Sequence, residues 1–371
     1  MTAYRIEQSI VWGFVSLAAA ILAILFLIGR DVRSTSRGLE RFTGDQEWKK
    51  VRVSGGDELE GMASTLNSMA AERRDEERRR ERLISSYRRF VPEEVLNLLG
   101  KHSVLDVDQD TIAFRQMAVM QISFYFPDPV YTNAVNTRLM FDSVNQVIER
   151  TASIVRQKGG VVFNFAYSGY DVVMERDPRQ VISTAVAVRQ EVLALNQQRA
   201  QDALPTVKLR IAADTGGVIF GIVGDQSHLE PSTISDSFAT LSELIEICEK
   251  AEANILCTES IVSGVEGYGS RYIGRCFAGH RPIRVYEVFD GDPYEVRKGK
   301  EVGLRRFSEG VLSLYSGEII QAKRTFLDLV RDTPQDGCAR YYLYLADKLT
   351  EDEVLGGVSL NGRMEMDDDE T

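Results

Sequence analysis

Few side chains in this sequence stand at spacings that chemistry uses. His102, His228 and His280 are its three histidines, each isolated from any nucleophile and from any metal-ligand spacing. Neither a catalytic triad nor a zinc set is indicated, and each histidine reads as a surface or packing residue. Cys248, Cys257, Cys276 and Cys338 lie far apart in apolar or helical contexts, which suggests neither a zinc knuckle nor a disulfide framework. They fit a reducing compartment and read as inert packing residues. The glycine fingerprints of a P-loop or a Rossmann unit are absent. Two stretches remain. One is the run from Asp214 to Gly224, whose glycines allow tight turns and close backbone approach. The other runs from Gly159 to Glu175. There a Gly pair releases a helix, a mostly apolar strand follows, Tyr167-Ser168-Gly169 reverses the chain, and Asp171-Val172-Val173-Met174 starts the return strand.

The elements that must hold these stretches follow from periodicity. Gln116 to Phe124 reads as a buried strand, and a helix from about Val130 to Lys158 presents Leu139, Phe141, Val144, Val147 and Ile148 on one face. Asp177 can cap a second amphipathic helix that opens at Pro178 and runs to about Gln198. Val207 to Ala213 is a further strand. The net charge of -11 over 371 residues argues against a nucleic-acid partner, whose binder would carry a basic footprint.

The hairpin resembles the one that class III adenylyl/guanylyl cyclases build from a Gly pair, a Lys and a Gly-Asp tip. The glycine run Thr215-Gly216-Gly217-Val218-Ile219-Phe220-Gly221-Ile222-Val223-Gly224 resembles their signature Thr-Gly-x-Val-x-x-Gly-x-Val-Gly. Ser232 to Leu244 matches their Thr-x-x-Gly-Asp-x-Val-Asn-x-Ala-x-Arg-Leu without gaps, and Ile255 to Thr258 and Arg281 to Val288 resemble their closing strands. The resemblance covers about residues 90–290 and implies an α+β, ferredoxin-like cyclase homology domain. It also implies degenerate chemistry. The family holds two divalent ions on two aspartates and stabilises the reacting phosphate with an Asn and an Arg from the partner subunit. Here the aspartate positions fall on Ser123 and Ser168, the Asn on Ala239 and the Arg on Glu243. Serine hydroxyls are poor ligands for hard ions, and a glutamate facing a phosphate costs roughly 4 kcal/mol at an effective dielectric of 20. Asn164 replaces the base-reading Lys, so Asn164 and Ser232 are vestigial base-site positions. No metal and no other cofactor is expected. Asp128 and Asp171 are nearby carboxylates that only a shifted alignment would turn into ligands.

Other stretches extend the chain on both sides. Gln8 to Gly29 is 22 residues without a formal charge, long enough to cross a bilayer as a helix, and the basic residues that follow put the bulk of the chain on the cytoplasmic side. Asp57-Glu58-Leu59 and the seam Leu59, Met62, Leu66 and Met69 resemble the second helix of a HAMP domain and predict a parallel coiled coil. Leu304 to Leu349 resembles a tetratricopeptide-like helix pair with one extra helix, which packs on the cyclase-like domain or its dimer mate. The expected order is an extracytoplasmic N-terminus (1–8), a transmembrane helix (9–29), a HAMP-like segment (30–71), a charged helical linker (72–89) and a pre-cyclase linker (90–110). The cyclase homology domain (111–290), tetratricopeptide-like helices (300–350) and an acidic disordered tail (351–371) complete it. This describes a single-pass protein of the inner membrane whose inactive cyclase domain signals or scaffolds by protein contact. Its expected partners are a second copy or a related cyclase, the membrane, and a larger membrane-associated assembly reached through the C-terminal helices. A nucleotide or small-molecule sensor, a subunit of a heterodimeric cyclase, and an enzyme with relocated metal ligands are the alternatives.

Overall fold

The strand β1, Ile112–Tyr125, is apolar on both faces at its centre, where Met117 to Met120 are all buried. Such a strand needs cover on both sides, and the chain supplies it. In the computed structural model, residues 12, 15–30, 32–33, 58–87, 93–103, 106–108, 110–127, 137–225, 229–278 and 281–349 are described. The chain divides into two units, Met1–Pro92 and Glu93–Thr371.

The second unit begins with a short helix, α3 (Glu93–Leu98), and β1. It continues through α4 (Thr137–Gln157), β2 (Val161–Ala166), β3 (Gly169–Met174), α5 (Pro178–Gln201) and β4 (Lys208–Gly224). The strand order β2-β3-β1-β4 with antiparallel pairing throughout is the ferredoxin-like β-α-β-β-α-β arrangement. It is extended by β5 (Leu229–Ile234), paired with β4, and by β6 (Ile255–Thr258), β7 (Ser270–Ala278) and β8 (Arg281–Val288) beyond it. The β4–β6 pair is parallel, and the helices α6 (Asp236–Lys250) and α7 (Glu259–Val262) flank β6 in sequence. Asp177 caps α5 as predicted, accepting hydrogen bonds from the Arg179 and Gln180 amides, with Pro178 in the first turn.

Alternate residues of β1 enter two cores. Met120, Ile122 and Phe124 join Val147, Val155, Ile182, Val188 and Leu195 of α4 and α5. Met117 and Val119 join Leu241, Leu244 and Ile247 of α6 on the opposite face. That second core also takes in Phe307, Phe326 and Tyr342 of α8 (Tyr294–Tyr315), α9 (Ile319–Asp332) and α10 (Gly337–Lys348). The C-terminal helices therefore pack on the cyclase-like sheet of the same chain. A buried charge network fastens them. Arg271 on β7 donates to Glu287 on β8 at 2.7 Å and to both oxygens of Asp336 at 2.6 and 2.8 Å, with its guanidinium 3.8 Å from the Phe307 ring centre. Lys300 on α8 donates to Glu287 at 2.7 Å and to Asp292 at 2.6 Å. All four cysteines are buried; burial pushes the Cys257 thiol up to about 12 and raises those of Cys248 and Cys338 as well.

Three expectations change. The glycine run does not turn the chain: β4 passes straight through it, paired to β1 over its whole length up to Gly221. Its glycines serve the close approach that was expected beside the turns, since a Cβ on Gly216 would meet the Ser237 hydroxyl at 2.3 Å and one on Gly217 the Phe114 ring at 2.7 Å. The helix expected from Val130 is described from Thr137, and residues 128–136, Asp128 among them, lie outside the described residues.

The third correction concerns the membrane. Among the described residues no helix is long and apolar enough to cross a bilayer. Residues 15–30 are helical (α1). Residues 1–11, 13 and 14 lie outside the described residues. The single-pass inner-membrane placement read from the uncharged run is overturned. The HAMP-like segment lies mostly outside the described residues too, whereas α2 (Glu58–Tyr87) contains the predicted seam. Along α2, Leu66 is buried with Ala63 and Ala70, while Met62 and Met69 are exposed. The tail from 350 onward is likewise outside the described residues.

Candidate functional site

The hairpin tip is held against the end of β1 by backbone. Gly169 pairs with Ser123, and the Phe124 amide donates to the Ser168 carbonyl at 2.8 Å. Gly169 adopts φ 149°, and a Cβ there would lie 2.1 Å from the Ile122 carbonyl oxygen, so only glycine allows this approach. The consequence is that Ser123 and Ser168, assigned from separate stretches of sequence, become neighbours, both half-buried. On the other side Ser123 pairs with Arg210 of β4. The Arg210 guanidinium donates to Glu249 at 2.9 Å and lies 4.4 Å from the Tyr125 ring centre.

Asn164 is exposed on β2, in the left-handed region at φ 51°, where the β2–β3 register shifts. Its amide donates to Asp171 at 3.1 Å. Burial pushes the Asp171 carboxyl up from its ordinary value, and the Asn164 hydrogen bond offsets part of this. Asp171 stands opposite Gln121, two residues before Ser123, and the Gln121 side-chain oxygen is buried without a hydrogen-bond partner. One carboxylate, an amide and two hydroxyls do not fit a pair of hard divalent ions, which want several carboxylate oxygens. Among the described residues no group of three or more His, Cys, Asp or Glu side chains could hold a metal.

The other predicted positions lie elsewhere. Ser235 caps α6 by accepting from the Ser237 amide at 3.2 Å, and one turn later Ala239 is exposed and Glu243 half-buried, four residues apart on one helix face. Ser232 of β5 pairs with Gly221 of β4, which in turn pairs with Ile112 at the far end of β1. Ile112 is 11 residues from Ser123, so Ser232 is about 36 Å along the strand from the hairpin tip. A single chain thus carries the predicted positions in separate places. At the Ser232 end an apolar row runs across three strands, with Phe114 opposite Ile219 and Ile219 opposite Ile234; these are 63%, 40% and 66% exposed.

Sequence reasoning missed the buried carboxylate of Asp214, at the start of the glycine run. Thr258 and Ser260 donate to one of its oxygens at 2.6 and 3.2 Å, and the other has no hydrogen-bond partner. It also missed the Asn164–Asp171 bond, which the positive-φ asparagine in an otherwise regular strand could have signalled only as a bulge. His102 is exposed, while His228 and His280 lie outside the described residues.

No family model matches the chain. An adenylate cyclase of Anabaena cylindrica is 20% identical over 300 residues, covering 76% of this chain and 59% of the relative. The terminal-differentiation-specific adenylate cyclase of Dictyostelium discoideum is 20% identical over 273 residues, covering 69% of this chain and 12% of the relative. The chain thus spans less than two thirds of either relative's length. Among solved structures, a bacterial light-regulated adenylyl cyclase is similar with a TM-score of 0.47 and 16% identity, over 64% of this chain and 66% of that one. Together with the motifs above, the two curated relatives support class III adenylyl/guanylyl cyclase homology.

Proposed function

We propose that this chain is a dimeric signalling or scaffold protein whose cyclase homology domain does not cyclise nucleotides and acts through protein contact. The observation that carries this reading is the juxtaposition of Ser123 with Ser168 at the hairpin tip, where the resemblance requires two metal-holding aspartates. Ala239 and Glu243 on α6 add to it, because they remove the two groups that would stabilise the reacting phosphate. The dimer is supported by the exposed row Phe114, Ile219 and Ile234, a sheet face that a second copy would cover. The seam of α2, with Met62 and Met69 exposed, offers a second pairing surface and carries the HAMP-like, parallel coiled-coil part of the proposal. The tetratricopeptide-like helices enter it as a docking end, on the outer faces that the buried core leaves open.

The test is a product assay on the full chain with ATP and GTP, each with Mg²⁺ and with Mn²⁺, beside sedimentation analysis. The expected result is a dimer that makes no cyclic nucleotide above blank. Cyclic product from the chain alone would overturn the reading, and a monomer across micromolar concentrations would remove the dimer from it. The alternative, a subunit of a heterodimeric cyclase, is separated by repeating the assay with an active cyclase chain: product that rises with added protein beyond the active chain's own would favour it.

A further inference from the structure

A cavity of about 410 Å³ opens where the end of β1, the start of β4, α5 and the end of α6 meet the connector between α9 and α10. That volume is in the range of small-molecule sites. Its charges do not cancel. Arg210 is paired with Glu249 and Glu252 with Arg340, so both acidic side chains of the lining are already neutralised. Arg189 of α5 and Lys208 of β4 line the same cavity without an ion pair or hydrogen bond among the described residues; the carboxylate whose charge reaches Arg189 is Asp292, itself bonded to Lys300 and Asn254. The Arg189 Nε is buried with no partner. A buried, unbonded guanidinium nitrogen is costly unless something supplies the acceptor.

The position of Arg189 is fixed rather than incidental. Its stem crosses Gly291 so closely that a Cβ there would meet the Arg189 Cγ at 2.7 Å and Cβ at 2.9 Å. Glycine at 291 therefore lets the arginine lie across the backbone. Asn196 is spent on Val207, bonding both its amide and its carbonyl, and Asn254 donates to Asp292 at 2.9 Å, so the walls of the cavity are held by their own hydrogen bonds.

We infer that this cavity binds a small phosphomonoester, whose oxyanion takes Arg189 and Lys208. Two cations with no ion pair of their own match a group of charge near -2 better than a single carboxylate, and a guanidinium presents paired donors to phosphate oxygens. The inference is independent of the reading of the cyclase-like site. A ligand here would touch the sheet, the last turn of the helix that carries Ala239 and Glu243, and the C-terminal helices together.

The test titrates glucose 6-phosphate into the full chain by calorimetry at constant ionic strength, with inorganic phosphate and glucose as comparison probes. Saturable one-site binding of the phosphomonoester, with glucose silent, is the expected result. Arg189→Gln and Lys208→Gln should each weaken it by at least about tenfold. Arg189→Lys, which keeps the charge, should lose less than Arg189→Gln, while Arg305→Gln on the exposed face of α8 should lose nothing. Circular dichroism of each variant establishes that the fold is intact, and the Lys208→Gln arm, on an exposed side chain, stands if Arg189→Gln does not fold. The inference falls if neither phosphate probe saturates below about 10 mM, if glucose binds as well as its phosphate, or if both Arg189→Gln and Lys208→Gln bind as the wild type does. Binding of inorganic phosphate without any of glucose 6-phosphate would also overturn it, in favour of a free-anion site.

Discussion

Glu287 shows how a single side chain can set the acid limit of the molecule. Burial alone would raise its carboxyl, but Arg271 and then Lys300 outweigh that and hold it at about 2, below the ordinary value of 4.5. A carboxylate depressed in the folded state contributes stability that is fully present above its unfolded value and is lost as pH falls through its folded value. The contribution should therefore be constant above about pH 5 and decline between about pH 4.5 and 2. Glu287→Gln leaves Arg271 and Lys300 short of a counter-charge in a site where each is at most 3% exposed. Removing one partner of such a buried set costs about 3–5 kcal/mol. Urea midpoints at pH 7 and at pH 3 check both statements, since the gap between wild type and variant should narrow at the lower pH. An equal gap at both values would detach the acid sensitivity from Glu287. The same residues explain an omission in the sequence reading. Arg271 and Arg275 interrupt the apolar alternation of Ser270–Ala278, so β7 carries no strand signature, yet Arg271 is inside because its charge is matched by residues 16 and 65 positions away.

At the scale of elements, the hairpin and β4 were read from the right residues, the hairpin wholly and the glycine run of β4 in part. The Gly pair, the apolar strand and the Tyr167-Ser168-Gly169 turn give β2 and β3 as drawn from the sequence, because hairpin geometry is local. What sequence could not supply is the depth to which the tip presses on β1. Gly169→Ala tests that contact: the new methyl meets the Ile122 carbonyl while the backbone holds a φ that alanine avoids, so a loss of at least about 2 kcal/mol is expected. A thermal midpoint unchanged from wild type would show that the tip is free to lift from β1. The glycine run was read as permitting turns and close backbone approach; the approach is there, whereas the straight course in place of a turn depends on partners. β1 pairs one edge from Lys208 to Gly221 and β5 the other from Ile219 to Gly224, and that pairing keeps the run extended. Positions assigned by resemblance fared similarly: Ser123 and Ser168 meet through strand register, a long-range property, while the distance to Ser232 follows from the length of β1.

Over the whole molecule, the boundary drawn near residue 290 from the family resemblance does not coincide with a boundary in packing. Phe307, Phe326 and Tyr342 form one contiguous aromatic group, with ring centres 5.0–5.8 Å apart, inside the core that also holds Val119 and Leu244. Tyr342 donates to the Ile273 carbonyl of β7. Removing residues 294–371 would strip this face of the sheet and leave Arg271 without Asp336. The truncated protein should aggregate or expose apolar surface to a dye such as ANS, rather than fold with only a docking end missing. A soluble, cooperatively melting fragment ending at residue 293 would show that the helices are an appendage after all. Here sequence was informative about the helices and placed them on the cyclase-like domain or its dimer mate, but not on a particular face. A helix pair that cannot close its own core announces a partner surface, but the sheet face that receives it is recognisable only once β7 and Arg271 are in position.

The four buried thiols turn this packing into a clock. Thiolate, the reactive form, is scarce at neutral pH when burial raises a thiol as it does at Cys248, Cys257 and Cys338. An alkylating reagent can then mark a cysteine only while its surroundings open. Cys338 lies on α10, Cys276 on the outermost strand, Cys248 on α6 in the core it shares with the C-terminal helices, and Cys257 on β6 in the core on the α4 and α5 side, so the order in which mass increments accumulate on the native chain would read out which part of the core breathes first.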